Sequence, residues 1–246
     1  MTFLGLKGLF REIFFADKVK YIDIVQLTRY YYPETKPKFG FIKQEAYTAY
    51  IDISGNSEEF FSKFKKNTRY EINRAKREGV LYEIIDDIDV FFKYYNDFAR
   101  SKNLELLRYD TLLKYKNHII ISQAIKGDEI LSMHVHLVNN DIAMLLYSAS
   151  QFRNLTDNKA RNLVGYANRF LHYEDMLYFK SRGCKTYDFG GYSYGTENEV
   201  EQRINQFKDS FNCIPIERGI YTSYMLTVFL LFKSLLQKFG MKMEKL

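Results

Sequence analysis

Three short apolar segments in close succession, residues 119–125, 130–138 and 142–148, constrain this chain more than any other feature. They are rich in β-branched and apolar residues, and the turns between them centre on Gly127-Asp128 and Asn139-Asn140-Asp141. Links that short join only antiparallel neighbours, so the segments predict a three-stranded meander. A meander needs other elements to cover its apolar faces. The flanking sequence supplies helices.

Upstream, residues 80–85 read as a strand, 88–101 as a helix and 109–116 as a shorter helix. Downstream, a polar loop (151–159) leads into a helix over 162–180 and a short strand over 185–189. Next comes a helix over 197–211 with Thr196 and Glu199 as a capping box. Its apolar stripe is Val200, Ile204, Phe207 and Phe211, and a final strand spans 214–221. From residue 80 the order is βααβββαβαβ, an α+β plan: a mostly antiparallel sheet flanked by helices. Before it, Phe3, Leu6, Phe10 and Phe14 recur at helical spacing opposite Lys7, Arg11 and Lys18. Strands are expected over 21–31 and 46–53. A basic helix over 57–79 opens with Asn56 and Glu59 at capping-box spacing and closes at Gly79. It sets Phe61, Phe64, Thr68, Ile72 and Ala75 against Lys63, Lys66, Tyr70, Asn73 and Arg77. Residues 1–79 are therefore expected as a reduced N-terminal β-β-α lobe. Residues 80–246 are expected as the main domain with an apolar C-terminal helix.

Of 246 residues, 46% are hydrophobic and 27% charged, the balance of a globular protein rather than a disordered one. The net charge of +6 favours anionic partners such as phosphates, nucleic acid or acidic lipid. Cys184 and Cys213 have neither metal-type spacing nor the company of a disulfide framework, so both are expected reduced, in the cytoplasm. Lys7 and Arg11 interrupt any signal-peptide core. The apolar run 221–232 is too short to span a bilayer. Both ends are basic and amphipathic, so contact with the inner membrane face and packing against protein remain alternatives.

Residues 187–194, Tyr-Asp-Phe-Gly-Gly-Tyr-Ser-Tyr, mark the candidate site. A strand ending in Gly190-Gly191 exposes bare backbone to a ligand, with Asp188, Tyr187, Tyr192 and Tyr194 around it. A capped tight turn is the alternative. Glu174 falls among Ala167, Phe170, Leu171, Leu177 and Tyr178, where a desolvated carboxylate suits a general base or a buried structural role. His134 and His136 alternate onto one strand face. They could move a proton, but no third ligand is spaced for a metal. Arg161-Asn162-Leu163-Val164-Gly165-Tyr166-Ala167, with Arg153 and Lys159 nearby, could meet phosphate at a helix start or serve packing through its small residues. Lys208 reads as a surface lysine.

The order from residue 80 resembles the GNAT acyltransferase fold. Three blocks narrow the resemblance to the FemABX family. They are the basic helix with Lys66-Asn67-Thr68-Arg69-Tyr70-Glu71-Ile72-Asn73-Arg74-Ala75, residues 166–191 ending in Tyr-Asp-Phe-Gly-Gly, and Phe207-Lys208-Asp209-Ser210-Phe211. The resemblance implies an acyl- or aminoacyltransferase with no tightly bound cofactor and no metal. Its donor would be acyl-CoA or aminoacyl-tRNA, and its acceptor an amine on a cell-wall or polysaccharide precursor such as peptidoglycan, lipid-linked or free. Arg153, Lys159, Arg161, Asn162 and Gly165 would then face the donor phosphates. Tyr147, Gly190, Gly191, Tyr192 and Lys208 would line the substrate. Glu174, Asp188 or His134 would take the proton. Backbone N–H groups near 147–149 and 188–190, where two strands splay apart, would hold the oxyanion. Family members carry two lobes and this chain one and a part, so a degenerate lobe binding RNA or membrane as a scaffold is the alternative.

Overall fold

The computed structural model describes residues 1–5, 10–37, 39–151 and 157–238. Two compact units divide the chain: Ala49–Pro215, and Met1–Thr48 together with Ile216–Leu246. This division differs from one at 79/80 because α2 (Lys66–Arg77) packs on α5 (Asn158–Ser181) within the larger unit.

The larger unit is built on the predicted meander. β5 (Leu81–Ile85), β6 (Ile119–Lys126), β7 (Glu129–Val138) and β8 (Ile142–Ser150) pair antiparallel in sequence. The crossover helix α5 returns the chain, so β9 (Thr186–Tyr192) joins β8 in parallel. The end of β4 (Phe41–Asp52) lies on the far side of β9. On one face, Ile72 and Ala75 of α2 and Val164, Ala167, Leu171 and Phe179 of α5 enter the core. On the other, Phe91 of α3 (Ile88–Ser101) and Leu112 of α4 (Tyr109–Tyr115) pack with Ile121, Met133 and Val135. Ion pairs Lys76–Glu174 and Arg169–Glu71, both 2.8 Å, tie α2 to α5.

Three local expectations change. The basic helix is two helices, α1 (Ser57–Ser62) and α2, and the Arg69 guanidinium donates to the Ser62 and Phe64 carbonyls that the break releases. α6 (Glu199–Asp209) is capped by Asn198, which accepts from Val200 N–H at 2.9 Å, while the Thr196 hydroxyl donates to Glu201 instead. Val200 and Ile204 of its expected apolar stripe are exposed, and only Phe207 and Phe211 reach the core.

The smaller unit corrects the first helix. Its strand order is β1 (Thr2–Gly5), β2 (Phe10–Phe14), β3 (Thr28–Tyr31), β10 (Ile214–Ser223) and the start of β4. β2 pairs with β1 on one side and β3 on the other, and Phe14 stacks on Tyr31 at 4.4 Å. Two ladders outweigh the helical spacing of the phenylalanines; Leu6 and Lys7 lie outside the described residues. The strand expected over 21–31 is a 3-10 turn (Tyr21–Val25) followed by β3. That turn buries Asp23, which accepts from Arg11 at 2.6 Å and from the Tyr30 hydroxyl, satisfying a charge that an open strand would strand without partners. The C-terminal helix α7 (Tyr224–Lys238) follows β10 directly. No described helix is long and apolar enough to cross a membrane.

Candidate active site

The β8–β9 ladder consists of three pairs: Ile142 with Thr186, Ala143 with Tyr187, and Met144 with Asp188. β8 then runs on to Ser150 and β9 to Tyr192. At the same level the β7–β8 register shifts: Val135 faces Tyr147 while His136 faces Leu145, leaving Leu146 as an extra residue. A bulge there re-aims the β8 backbone where the parallel ladder stops.

Gly190 and Gly191 lie inside β9 rather than in the turn after it, so the strand is longer than the sequence suggests. Gly190 has φ +73°, and a Cβ there would sit 3.0 Å from the Leu145 carbonyl oxygen. Only glycine suits both constraints. Asp188, fully buried, accepts from Gly190 N–H at 2.7 Å. Lys208 is buried as well, a correction to the surface reading. Its ammonium donates to the Gly191 carbonyl and, at 3.4 Å, to that of Gly190. Burial pushes the Lys208 pKa down, and the nearby Asp188 charge opposes that shift. Tyr192 donates to the Asp209 carboxylate at 3.1 Å, and burial followed by that carboxylate pushes its pKa up to about 12. Tyr194 is exposed, and Tyr147 packs against Phe91 and Tyr95 of α3.

The phosphate-motif residues sit differently from expectation. α5 begins at Asn158, capped by Asp157, which accepts from Ala160 N–H at 2.9 Å. The stretch from Arg161 to Ala167 is therefore inside the helix, where backbone amides bond to carbonyls one turn back, and Gly165 offers no free N–H cradle. What the structure does form at the start of α5 is a cavity of about 570 Å³. Tyr70 and Arg74 of α2, Lys126, and Lys159, Asn162 and Tyr166 of α5 line it, with Glu78 and Asp157 as its acids. Arg161 is not among the lining residues, and Arg153 lies outside the described residues.

His134 faces α5, not a cleft. It is wholly buried, with Nδ1 2.7 Å from Asp175 Oδ2 and Nε2 3.1 Å from Asn168 Oδ1. Tyr82 donates to Asp175 Oδ1 at 3.2 Å. The Tyr187 hydroxyl lies 3.0 Å from His136 Nε2 and 2.7 Å from His172 Nδ1. Burial above all pushes the His136 pKa down to about 3, although Asp175 acts the other way; burial also sends His172 well below the usual imidazole range. Burial drives the Tyr187 phenol well upward, so it stays protonated. His134, His136 and Asp175 place ligand-type atoms within 4.8 Å of one another, so a third candidate ligand exists that spacing did not predict. Hydrogen bonding completes the His134 side of the group, whereas His136 Nδ1 has no hydrogen-bond partner among the described residues. Ser132 gives its single proton to the Ala149 carbonyl at 3.1 Å and lies 2.7 Å from the Asn168 amide. With the NH₂ end of that amide turned inward, Asn168 donates to Ser132 and His134, and His134 donates to Asp175.

Glu174 is not the buried carboxylate of α5. It pairs with Lys76 at 2.8 Å on the helix flank, and its neighbour Asp175 has no exposed surface. Asn168, His172, Asp175 and Phe179 follow one another at spacings of four, three and four, so polar residues in an apolar stripe were the available signal. Cys184 and Cys213 are both free thiols; burial first and Asp209 second push Cys213 up to about 12.

No family model and no curated protein matches the sequence. Solved structures do match in fold. FemX aligns over 83% of this chain and 74% of its own, with TM-score 0.62 and 12% identity. The C-terminal domain assigned to a lysylphosphatidylglycerol synthetase of Agrobacterium fabrum aligns over 96% and 85%, with TM-score 0.58 and 14% identity. L-PGS of Bacillus licheniformis aligns over 94% and 88%, with TM-score 0.55 and 12% identity. Set beside the interrupted β8–β9 ladder and the α+β plan, these likenesses show that the chain shares the fold of FemX and of these synthetase structures.

Proposed function

We propose that the chain is an acyl- or aminoacyltransferase, taking its acyl group from acyl-CoA or aminoacyl-tRNA and passing it to an amine of a cell-wall or polysaccharide precursor. The observation that carries this reading is the β8–β9 ladder ending at Met144 and Asp188 beside the Leu146 bulge. Backbone aimed away from its ladder can hold the oxygen of a carbonyl under attack, and one such donor is typically worth ~10²–10³ in rate. The amine nitrogen bonds to the acyl carbon, the ester C–O or thioester C–S bond breaks, and the released hydroxyl or thiol carries the proton away. The α5 cavity, with Arg74, Lys126 and Lys159, is the place for the donor's phosphates. Among the three candidate bases, His134 is sealed, Glu174 is ion-paired and Asp188 is engaged with Gly190. Catalysis in this reading rests on backbone and positioning rather than a dedicated base. Lysylphosphatidylglycerol synthetase, by its name, serves a lipid acceptor, which supports a lipid-linked acceptor here too.

The Asp157 cap and the placement of the phosphate motif within α5 rather than at its start favour a second reading, a degenerate lobe acting as a membrane- or RNA-associated scaffold. A thermal-shift series with acetyl-CoA, longer acyl-CoAs and aminoacyl-tRNA separates the two. A donor at about a hundred times its Kd adds ~2.7 kcal/mol, roughly 5–10 °C for a chain of this size. No shift with any donor, and no transfer to an amine acceptor, would leave the scaffold reading standing.

A further inference from the structure

The smaller unit presents apolar side chains that no described residue covers. On α7, Met225, Val228, Leu231, Phe232 and Leu235 are 47%, 63%, 61%, 59% and 53% exposed, while Leu226 alone is buried among the helix's leucines. At about 100° per residue these positions fall within an arc of roughly 120°, so they form one apolar stripe left exposed along the helix. The helix is firmly rooted. Tyr224 N–H donates to the Gly40 carbonyl at 3.1 Å, and Ser223 Oγ accepts from Leu226 N–H at 3.2 Å and donates to the Gln26 carbonyl at 2.6 Å. That root sets α7 against the 3-10 turn of Tyr21–Val25, where Ile22 and Val25 are more than 60% exposed. Beside them Tyr21 stacks on the exposed Phe39 at 5.1 Å. Three separate segments of one unit thus contribute to the apolar surface.

Charge is segregated in the same way. Residues 1–48 and 216–246 hold 13 Lys and Arg against 7 Asp and Glu, whereas residues 49–215 hold 23 of each. The whole net charge of +6 therefore belongs to the unit that bears the apolar face. Lys18 and Lys20, just ahead of the 3-10 turn, are exposed. A second copy would bring an equally positive unit to this face and be repelled. An anionic lipid surface offers both an apolar interior for the side chains and negative charge for the lysines. At 15 residues α7 is about 22 Å long, too short to span, so it would lie along the interface.

We propose that this face of the smaller unit docks on an anionic lipid bilayer, α7 lying in the headgroup plane with its exposed apolar side chains turned toward the acyl chains. The proposal does not depend on the transferase reading, since it concerns only where the chain sits. Co-sedimentation of the full chain with phosphatidylglycerol/phosphatidylcholine vesicles tests it, beside pure phosphatidylcholine vesicles and a protein-only sedimentation run. The chain should pellet with the acidic vesicles, at least about tenfold more weakly with neutral ones, and lose most binding at about 0.5 M salt. The double variant Leu231→Glu/Phe232→Glu should stay in the supernatant with an unchanged melting temperature, because both side chains are exposed. Lys18→Glu/Lys20→Glu should weaken binding to acidic vesicles only. A chain that ignores acidic vesicles, or binds neutral ones equally well, overturns the proposal. So does a dimer that the Leu231→Glu/Phe232→Glu variant dissociates while vesicles capture nothing, which assigns the face to a second copy.

Discussion

Asp175, His134 and His136 in the larger unit have no exposed surface, while Leu231 and Phe232 in the smaller unit are 61% and 59% exposed. Buried polar groups and exposed apolar ones both run against the usual partition, and each needs a separate physical reason. In the larger unit the reason is internal: His134 meets Asp175 across the β7–α5 interface, and His136 meets the Tyr187 hydroxyl of β9. In the smaller unit no described residue covers the exposed α7 side chains, and the proposed reason is the lipid surface. Substitutions should therefore act on stability in the first region and on association in the second.

The largest effect is expected from Asp175→Ala. It strips the Nδ1 partner from His134 and the acceptor from Tyr82, and losing one member of a buried polar pair costs about 3–5 kcal/mol. Leu231→Glu should change stability by less than about 0.5 kcal/mol. Denaturant titration of both variants breaks the comparison if Leu231→Glu proves the more damaging.

Acid comes next. Free imidazoles titrate near 6.5, whereas His136 protonates in the folded chain only at about 3 and His172 well below the ordinary value. Between those limits the unfolded chain binds more protons. Stability from these two groups is thus complete above about pH 6.5 and is lost as pH falls toward 3. Each contributes a slope of up to about 1.4 kcal/mol per pH unit. Melting curves at stepped pH should show this loss and a shallower one for His172→Phe; a flat profile from pH 7 to 4 would contradict the sealed core.

These expectations also show where the sequence is readable. The meander and its turns were legible because a period of two bounded by Gly-Asp and Asn-Asn-Asp admits few alternatives. The site was less so. Glu174 and Asp175 differ by one residue, about 100° around a helix, and that is the difference between an ion pair with Lys76 and a place in the core. Helix spacing in the first 15 residues misled because β2 gains ladders on both sides, and only the tertiary arrangement supplies those partners. The β7–β8 bulge rests on a single extra residue, Leu146, whose apolar neighbours give it no mark in the sequence.

Smaller effects sharpen the account of β9. Lys208→Met should cost roughly 1–3 kcal/mol by leaving the Gly190 and Gly191 carbonyls without their buried donor. Gly190→Ala should cost about 1–3 kcal/mol, from the positive φ and the Leu145 carbonyl together. Chemical denaturation reads both, and a neutral Gly190→Ala would mean that β8 and β9 can move apart freely. The least effect belongs to Glu174→Gln, under about 1 kcal/mol for a partly exposed ion pair, with any transferase activity retained. A loss of turnover at unchanged stability would restore Glu174 as the base.

In the transferase we propose, β8 and β9 part to receive an acyl carbonyl. The most direct test is transfer of a radiolabelled acyl or aminoacyl group to an amine acceptor, comparing the natural chain with one lacking Leu146 and matched for folding by circular dichroism. Donor-dependent labelling that falls by roughly a hundredfold when the bulge is deleted is the predicted result. Equal labelling with and without Leu146, from a donor that the natural chain demonstrably binds, would contradict it.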